Sequence, residues 1–379
     1  MISRQHFLAA LTTVCLSVPA LTPYFLVPDI QMQVDVIAAL AVINAAAAFA
    51  CCAVAESIAL ARLNRETQQP ISLAVASIIF ACGAAVCVYA PKFLGVGDPS
   101  WVGLVFCLSS LLIAISEGLS KAVGNFKNHQ LGLVLSGIAF PLPFFLLEAT
   151  SAATYLVYFG VVRGLTVLIV FPFVIRAAVA GPPLGLRYAM SVRPDQITIL
   201  SLAGYGYGLL ERLLISRIGV SFAGPLEGKF FLATYQSMGV LLGVRGQLVN
   251  SKIYLMANGP RAFSDAVAKI LVPLFLATPL LAMLGALILT KGMVPPFAVD
   301  AMWSTLGLLV CASMVDLLAA WRGVLLTYCG KIWVNVKAEV IGLTCVGLAL
   351  LFNESIVIAA CLILGARLAQ LCLKKRAIR

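Results

Sequence analysis

Apolar and polar positions fall in long blocks, not at the period of an amphipathic helix or a half-buried strand. Apolar runs bounded by Pro, Gly, Asn or charge occupy 6–27, 36–60, 71–90, 101–120, 131–147 and 152–175. A second set occupies 197–218, 230–249, 270–289, 302–325, 332–352 and 356–372. A helix needs roughly 20 such residues to cross a bilayer. Hydrocarbon offers no partner to a backbone N–H or C=O, so each run is expected to be helical. The pattern predicts an all-α polytopic membrane protein of about 12 transmembrane helices.

Composition narrows this further. Of 379 residues, 62% are hydrophobic and 11% are charged, against about 25% charged in an ordinary soluble domain. Twelve spans leave about 11 residues per loop or tail, which excludes a separate soluble domain. The first run starts after Arg4 and His6 and continues to Val27-Pro28-Asp29 with no small-residue cleavage site. It is expected as an uncleaved span.

The formal net charge is +11. With both ends of the chain on one side, eighteen Lys and Arg collect there. Lys92, Arg217, Lys229 and Lys291 are the four on the other side. This is a positive-inside distribution with both termini cytoplasmic, so the basic balance points to the membrane and not to nucleic acid. The segment 176–196, with Gly181-Pro182-Pro183, divides the chain. It is expected as a cytoplasmic linker between an N-terminal six-helix lobe (1–175) and a C-terminal six-helix lobe (197–379). Six spans each, in one orientation, imply a parallel pseudo-twofold repeat about the membrane normal.

Eleven Cys without a C-x-x-C pair, and two His (His6 and His129), give no metal site and no disulfide framework. The cysteines are expected as small apolar packers. Pro19, Pro23, Pro141, Pro143, Pro172, Pro273 and Pro279 fall within runs and are expected to kink or loosen their helices.

The remaining four basic residues lie inside spans. A charge at the bilayer centre costs at least about 2.5–3.5 kcal/mol. Arg163 and Arg212 are too deep to reach an interface, so each needs a partner or a water-filled cavity. Tyr205, Gly208, Arg212 and Ser216 share one helix face, as do Tyr155, Phe159, Arg163 and Thr166. Thr234, Tyr235, Gln236 and Ser237 form a polar cluster on the next span, read either as cleft lining or as interhelical hydrogen bonds. Arg245 and Arg367 lie about five residues from span ends, within snorkelling reach. Lys121 follows Glu117 by four positions, as an interfacial salt bridge would. Glu56, Glu211 and Asp316 are deep acids. They read either as halves of ion pairs that hold helices together or as groups that handle substrate or ions.

Glu211-Arg212-Leu213-Leu214-Ile215-Ser216-Arg217-Ile218-Gly219, followed by Gly224 and Gly228-Lys229-Phe230-Phe231-Leu232-Ala233-Thr234-Tyr235, resembles the junction of the seventh and eighth spans in polysaccharide repeat-unit flippases. These belong to the exporter superfamily that also holds multidrug/toxin extruders and lipid II flippases. Tyr328-Cys329-Gly330-Lys331-Ile332-Trp333-Val334-Asn335 resembles the opening of that family's eleventh span.

The resemblance implies a transporter, not an enzyme, in the bacterial cytoplasmic (inner) membrane. Its substrate would be an undecaprenyl-pyrophosphate-linked oligosaccharide, a repeat unit of O-antigen, exopolysaccharide or a related glycan. Arg163 and Arg212 would hold the pyrophosphate, because guanidinium offers planar bidentate contacts to phosphate. Tyr155, Tyr205, Tyr235, Gln236 and Arg245 would join them in binding substrate. Glu56, Glu211 and Asp316 would gate or couple to H⁺ or Na⁺, with no other cofactor. Partners would be membrane lipids and the glycan polymerase and assembly proteins. Rival readings are a multidrug or organic-ion extruder of the same superfamily, a carrier of the major-facilitator type, and a polysaccharide polymerase or ligase. The last is expected to carry a sizeable external loop, and none longer than about twelve residues is expected here.

Overall fold

A computed structural model describes residues 4–63, 73–94, 100–124, 126–139, 151–181, 194–252, 255, 258–296, 300–352 and 355–378. Over these residues the chain is helical and has no strands. The first half comprises α1 (Arg4–Leu21), α2 (Pro23–Leu26), α3 (Ile30–Ala50), α4 (Val54–Leu63), α5 (Leu73–Phe93), α6 (Ser100–Val123), α7 (Lys127–Ala139) and α8 (Ala152–Val179). The second comprises α9 (Pro194–Ser221), α10 (Pro225–Ser251), α11 (Pro260–Leu289), α12 (Asp300–Tyr328), α13 (Ile332–Leu351) and α14 (Ile356–Ile378).

Among the described residues, seven segments are long and apolar enough to cross a membrane. They are Ile30–Ala59, Trp101–Val123, Ala152–Val179, Pro260–Leu289, Asp300–Tyr328, Ile332–Leu351 and Ile356–Ala377. The chain is a multi-pass membrane protein. Helices α9 and α10 have 28 and 27 residues, about 40 Å each. They interleave Glu211, Arg212, Glu227 and Arg245 with their apolar positions, and both contribute to the lining of the polar interior.

Local chemistry sets several boundaries. The Asp29 carboxylate accepts from Met32 N–H at 2.7 Å and caps α3, and Ser151 accepts from Thr154 N–H at 3.2 Å and caps α8. Gly330 takes φ 76° after α12, where Lys331 N–H reaches back to the Leu326 carbonyl at 2.8 Å. A side chain would be strained there. Arg62 donates to the carbonyls of Val179 and Gly181, both at 2.8 Å, and ties the end of α4 to the end of α8.

Two expectations need correction. The run 36–60 is not one helix: it breaks at Cys51–Ala53, and Ala53 adopts φ 67°. The left-handed conformation costs a non-glycine residue about 1–2 kcal/mol, so tertiary contacts hold it. Neither Pro nor Gly marks this break in the sequence. The segment 176–196 is helical to Val179 and again from Pro194; 182–193 lie outside the described residues. Pro19, Pro172, Pro273 and Pro279 lie within their helices, and Pro23 follows a break at Thr22. Pro141 and Pro143 lie outside the described residues.

In the first half α1 packs on α7, α3 on α5, α4 on α6, α5 on α6, α6 on α8 and α7 on α8. In the second half α9 packs on α13, α10 on α11 and α12, α11 on α12, and both α12 and α13 on α14. Between the halves, α3 packs on α9 and α1 on α10. Small residues permit the close approaches. A Cβ on Gly137 would lie 2.3 Å from the Cys15 carbonyl oxygen, and one on Gly83 would lie 2.5 Å from Ala50 Cα.

One end of the bundle carries Arg62, Lys121, Arg176 and Lys374 and is called the basic end below. At the opposite end a single large apolar core joins the halves. It includes Val34, Ile37 and Leu40 of α3, Phe106 of α6, Phe159 of α8, Leu214 of α9, Phe230 of α10 and Met302 of α12. A smaller cluster lies nearer the basic end, with Ala53 and Ala122 against Ile197, Val249, Phe263 and Tyr328.

Candidate functional site

Three cavities surround the crossing of α3 and α9. The largest, about 510 Å³, lies among α9, α10, α12, α13 and α14. Tyr205, Glu211, Arg212, Tyr235, Arg245, Asp316 and Arg367 line it, and Glu56 closes it from the first half. A second, about 390 Å³, is lined by Glu56, Glu117, Lys121 and Arg163, with Ser201 and Tyr205 shared with the first. A third, about 290 Å³, runs between α1, α3 and α10. It is bordered by Ser17, Asn44, Arg212, Gln236 and Gly239. Arg212 faces the first and third cavities, and Asn44 the second and third.

The second-half acids that border the largest cavity, Glu211, Asp316 and Glu339, are all engaged. Arg367 donates to Glu211 at 2.8 Å and to Asp316 at 3.1 Å. Asp316 also pairs with Arg245. Lys374 pairs with Glu339 at 2.7 Å, and Gln370 Nε2 donates to the same carboxylate at 3.0 Å. The Arg367 guanidinium carbon lies 4.2 Å from the Tyr207 ring centroid. Removing one partner from a buried pair strands the other charge, at about 3–5 kcal/mol.

The first half has a smaller cluster. Lys121 sits between Glu117, at 2.8 Å, and Glu56. Tyr328 of α12 donates to the other Glu56 oxygen at 3.0 Å and so bridges the halves.

Two arginines stand apart from this pairing. Among the described residues Arg212 makes no ion pair. Its guanidinium carbon lies 4.7 Å from the Tyr235 ring centroid. Arg163 lies 4.8 Å over the Phe106 ring and donates to Ser110 Oγ at 3.3 Å. Its Nε is buried without a hydrogen-bond partner. Around it lie the thiols of Cys51, Cys87 and Cys107, with Cys87 and Cys107 Sγ 3.5 Å apart. A ring face returns about 0.5–2 kcal/mol to a cation, less than the cost of holding the charge at depth. Both sites are thus suited to an anion.

The remaining sequence candidates divide. Tyr205 is 46% exposed and opens onto two cavities. Gln236 lines the third cavity, and its buried Oε1 accepts no hydrogen bond. Tyr155 is 1% exposed and lies in the apolar core, away from the cavities, so it is removed from the substrate-facing set. Thr234 and Ser237 bond to carbonyls of their own helix, at 3.0 and 2.8 Å. Ser216 donates to the Ala38 carbonyl of α3 at 3.2 Å, so the stripe from Tyr205 to Ser216 ends in packing. Arg245 and Arg367 do not snorkel; they turn inward to carboxylates. Cys51, Cys52, Cys87 and Cys107 are buried packers, whereas Cys82, Cys311, Cys361 and Cys372 face outward.

Tyr207, Glu339, Gln370 and Lys374 escaped the sequence reading. A signal was present: Arg367, Gln370 and Lys374 are spaced by three and four, one face of α14. Among the described residues no group of three or more His, Cys, Asp or Glu can hold a metal ion.

No family model, no curated protein and no solved structure matches the chain. What defines it is the site: a membrane bundle with a polar interior, buried ion-pair networks and, among the described residues, two deep arginines without a carboxylate partner.

Proposed function

We propose that this protein is an alternating-access carrier that moves an undecaprenyl-pyrophosphate-linked oligosaccharide from the inner to the outer leaflet of a bacterial cytoplasmic membrane. The observation that carries the reading is the pair Arg163 and Arg212. Each guanidinium is stacked on an aromatic ring, lacks a carboxylate among the described residues, and borders one of two adjoining cavities. A pyrophosphate is a compact anion that two guanidiniums can share. Tyr205, Gln236 and Asn44 supply hydrogen-bonding groups to attached sugars.

The helix pairings support twelve spans in two related halves. If α1–α2 and α3–α4 count as one span each, the pairings within spans one to six recur six spans later, except that the second-to-sixth contact (α3 on α8) has no comparable counterpart between α10 and α14. The first-to-fifth contact (α1 on α7) recurs as seventh-to-eleventh (α9 on α13). The fourth-to-sixth contact (α6 on α8) recurs as tenth-to-twelfth (α12 on α14). Of the contacts between halves, α3 on α9 and α1 on α10 exchange under the same operation, and α3 on α10 maps onto itself. That is the behaviour of a parallel repeat about the membrane normal. The Lys and Arg distribution supports cytoplasmic termini. The large core at the far end and the cavities toward the basic end fit a carrier resting with its outer side sealed. Glu56, held by Lys121 and Tyr328, is suited to gating between halves, and the paired acids of the second half to coupling with H⁺ or Na⁺.

The test uses cells that make the glycan. Arg163→Ala and Arg212→Ala at normal protein abundance are expected to abolish surface polymer and to build up inner-leaflet intermediate. Normal export by both variants removes the two arginines from the substrate site. Unchanged intermediates in a deletion strain, with raised drug sensitivity, replace the flippase with a multidrug extruder.

A further inference from the structure

Glu211 and Arg212 are consecutive, and both border a narrow cleft of about 20 Å³ with Tyr235, Asp316 and Arg367. Two carboxylates therefore lie beside the arginine that is read above as an anion contact. Neither neutralises it, because Arg367 holds both: Nη2 is 2.8 Å from Glu211 and Nη1 is 3.1 Å from Asp316. Stacking on Tyr207 at 4.2 Å fixes the fork that makes these contacts. Arg367 arrives from α14, 156 residues along the chain from Glu211. Its position also differs from that of Arg212: Arg367 is spent on acids, whereas Arg212 lies over a ring and makes no ion pair among the described residues.

We infer that Arg367 is a positioning residue that sequesters Glu211 and so keeps Arg212 available to an anionic ligand. Asp316 retains Arg245 when Arg367 is removed. Glu211 has no other ion pair among the described residues and keeps only the Tyr235 hydroxyl, which lies beside Arg212, so it is the acid whose charge is left uncompensated. The released carboxylate then turns to Arg212 across the cleft and competes with the ligand's phosphate. The inference rests on the reading of Arg212 as an anion contact.

The experiment measures binding of farnesyl pyrophosphate to the full-length protein in nanodiscs, alongside Tm and yield. Arg367→Gln is expected to weaken binding at least about tenfold. Glu211→Gln alone is expected to bind at least as well as the unaltered protein. The double variant Glu211→Gln/Arg367→Gln is expected to recover to within about threefold of it. A tether role predicts the reverse, because the double variant has lost the same bridge and stays weak. Failure of the double variant to recover at unchanged Tm overturns the inference, as does unaltered binding by Arg367→Gln. If Arg367→Gln does not fold, loss of binding in Glu211→Gln overturns it instead. If the unaltered protein and Arg212→Ala both fail to bind, the anion reading falls and the inference falls with it.

Discussion

Arg212 lies face-on to Tyr235, its guanidinium carbon 4.7 Å from the ring centroid, and Gly239 of the same α10 makes room for it. A Cβ built on Gly239 would sit 3.2 Å from Arg212 Nη2. The side chain is flexible, so Gly239→Ala should move the guanidinium by a few tenths of an ångström and fold normally. Gly239→Leu should displace it from the ring. Binding of a pyrophosphate lipid is expected to fall a few-fold in the first variant and about tenfold or more in the second, with Tm nearly unchanged. Tyr235→Phe should keep the ring contact, while Tyr235→Leu should lose about 0.5–2 kcal/mol of it. Equal affinity in the Leu and Phe variants would show that the ring does not position Arg212.

The pair Arg245–Asp316 makes a prediction about stability. Both side chains are mostly buried, at 23% and 15% exposure. Asp316→Ala strands Arg245 and leaves Arg367 with one carboxylate, at about 3 kcal/mol. Arg245→Met/Asp316→Leu should cost less than Asp316→Ala alone, because no charge is left unpaired. Thermal unfolding in detergent, read as a double-mutant cycle, checks this. Additive losses would mean that the two charges are not coupled.

Glycines at helix crossings and glycines at the cavity should respond oppositely to the same change. A Cβ on Gly83 meets Ala50 backbone at 2.5 Å, while one on Gly208 or Gly246 meets nothing within 4 Å. Overpacking typically costs about 1–3 kcal/mol. Gly83→Ala should lower Tm and yield, while Gly208→Ala and Gly246→Ala should leave both near the unaltered values. Similar Tm losses at all three positions would contradict the close approach of α5 to α3.

The hydrogen bond from Tyr328 to Glu56, 3.0 Å, joins the halves near the basic end. Tyr328→Phe removes it and nothing else of size. A bond to a charged group contributes about 1.5–3 kcal/mol, so the variant should shift toward the form open at that end. Ser201 borders two cavities. Ser201→Cys, in a background with the outward-facing cysteines replaced by Ser, should react with an impermeant maleimide several-fold faster when Tyr328 is Phe. An unchanged rate would remove this contact from the gate.

At the Cys51–Ala53 break, Ala53 holds φ 67°. A β-branched residue is a genuine outlier there. Ala53→Val should lower stability by about 1–2 kcal/mol, while Ala53→Gly should be tolerated, as Tm will report.

Much of the architecture was legible before folding. Blocks of apolar residues decide the solvent, and the solvent decides the secondary structure, because a backbone in lipid must bond to itself. Arg163 and Arg212 stood out for the same reason: depth makes a charge conspicuous. The break in run 36–60 was not legible, since Cys51-Cys52-Ala53 carries no breaker and its conformation is imposed by neighbouring helices. Tyr155 was misread because its helix face was known but not what covered it; Phe106 and Phe159 stack at 5.3 Å in the same core.

Sequence alone therefore determined that this is a helical membrane protein with charges buried at depth. Only the tertiary structure decided which of those charges are free. Arg245 meets Asp316 across 71 residues, Arg367 meets Asp316 across 51 and Glu211 across 156. No local pattern encodes such meetings. A carboxylate neutralises whichever guanidinium the helix packing brings within about 3 Å, and this packing brings Glu211 to Arg367 and leaves its chain neighbour Arg212 facing the cavity.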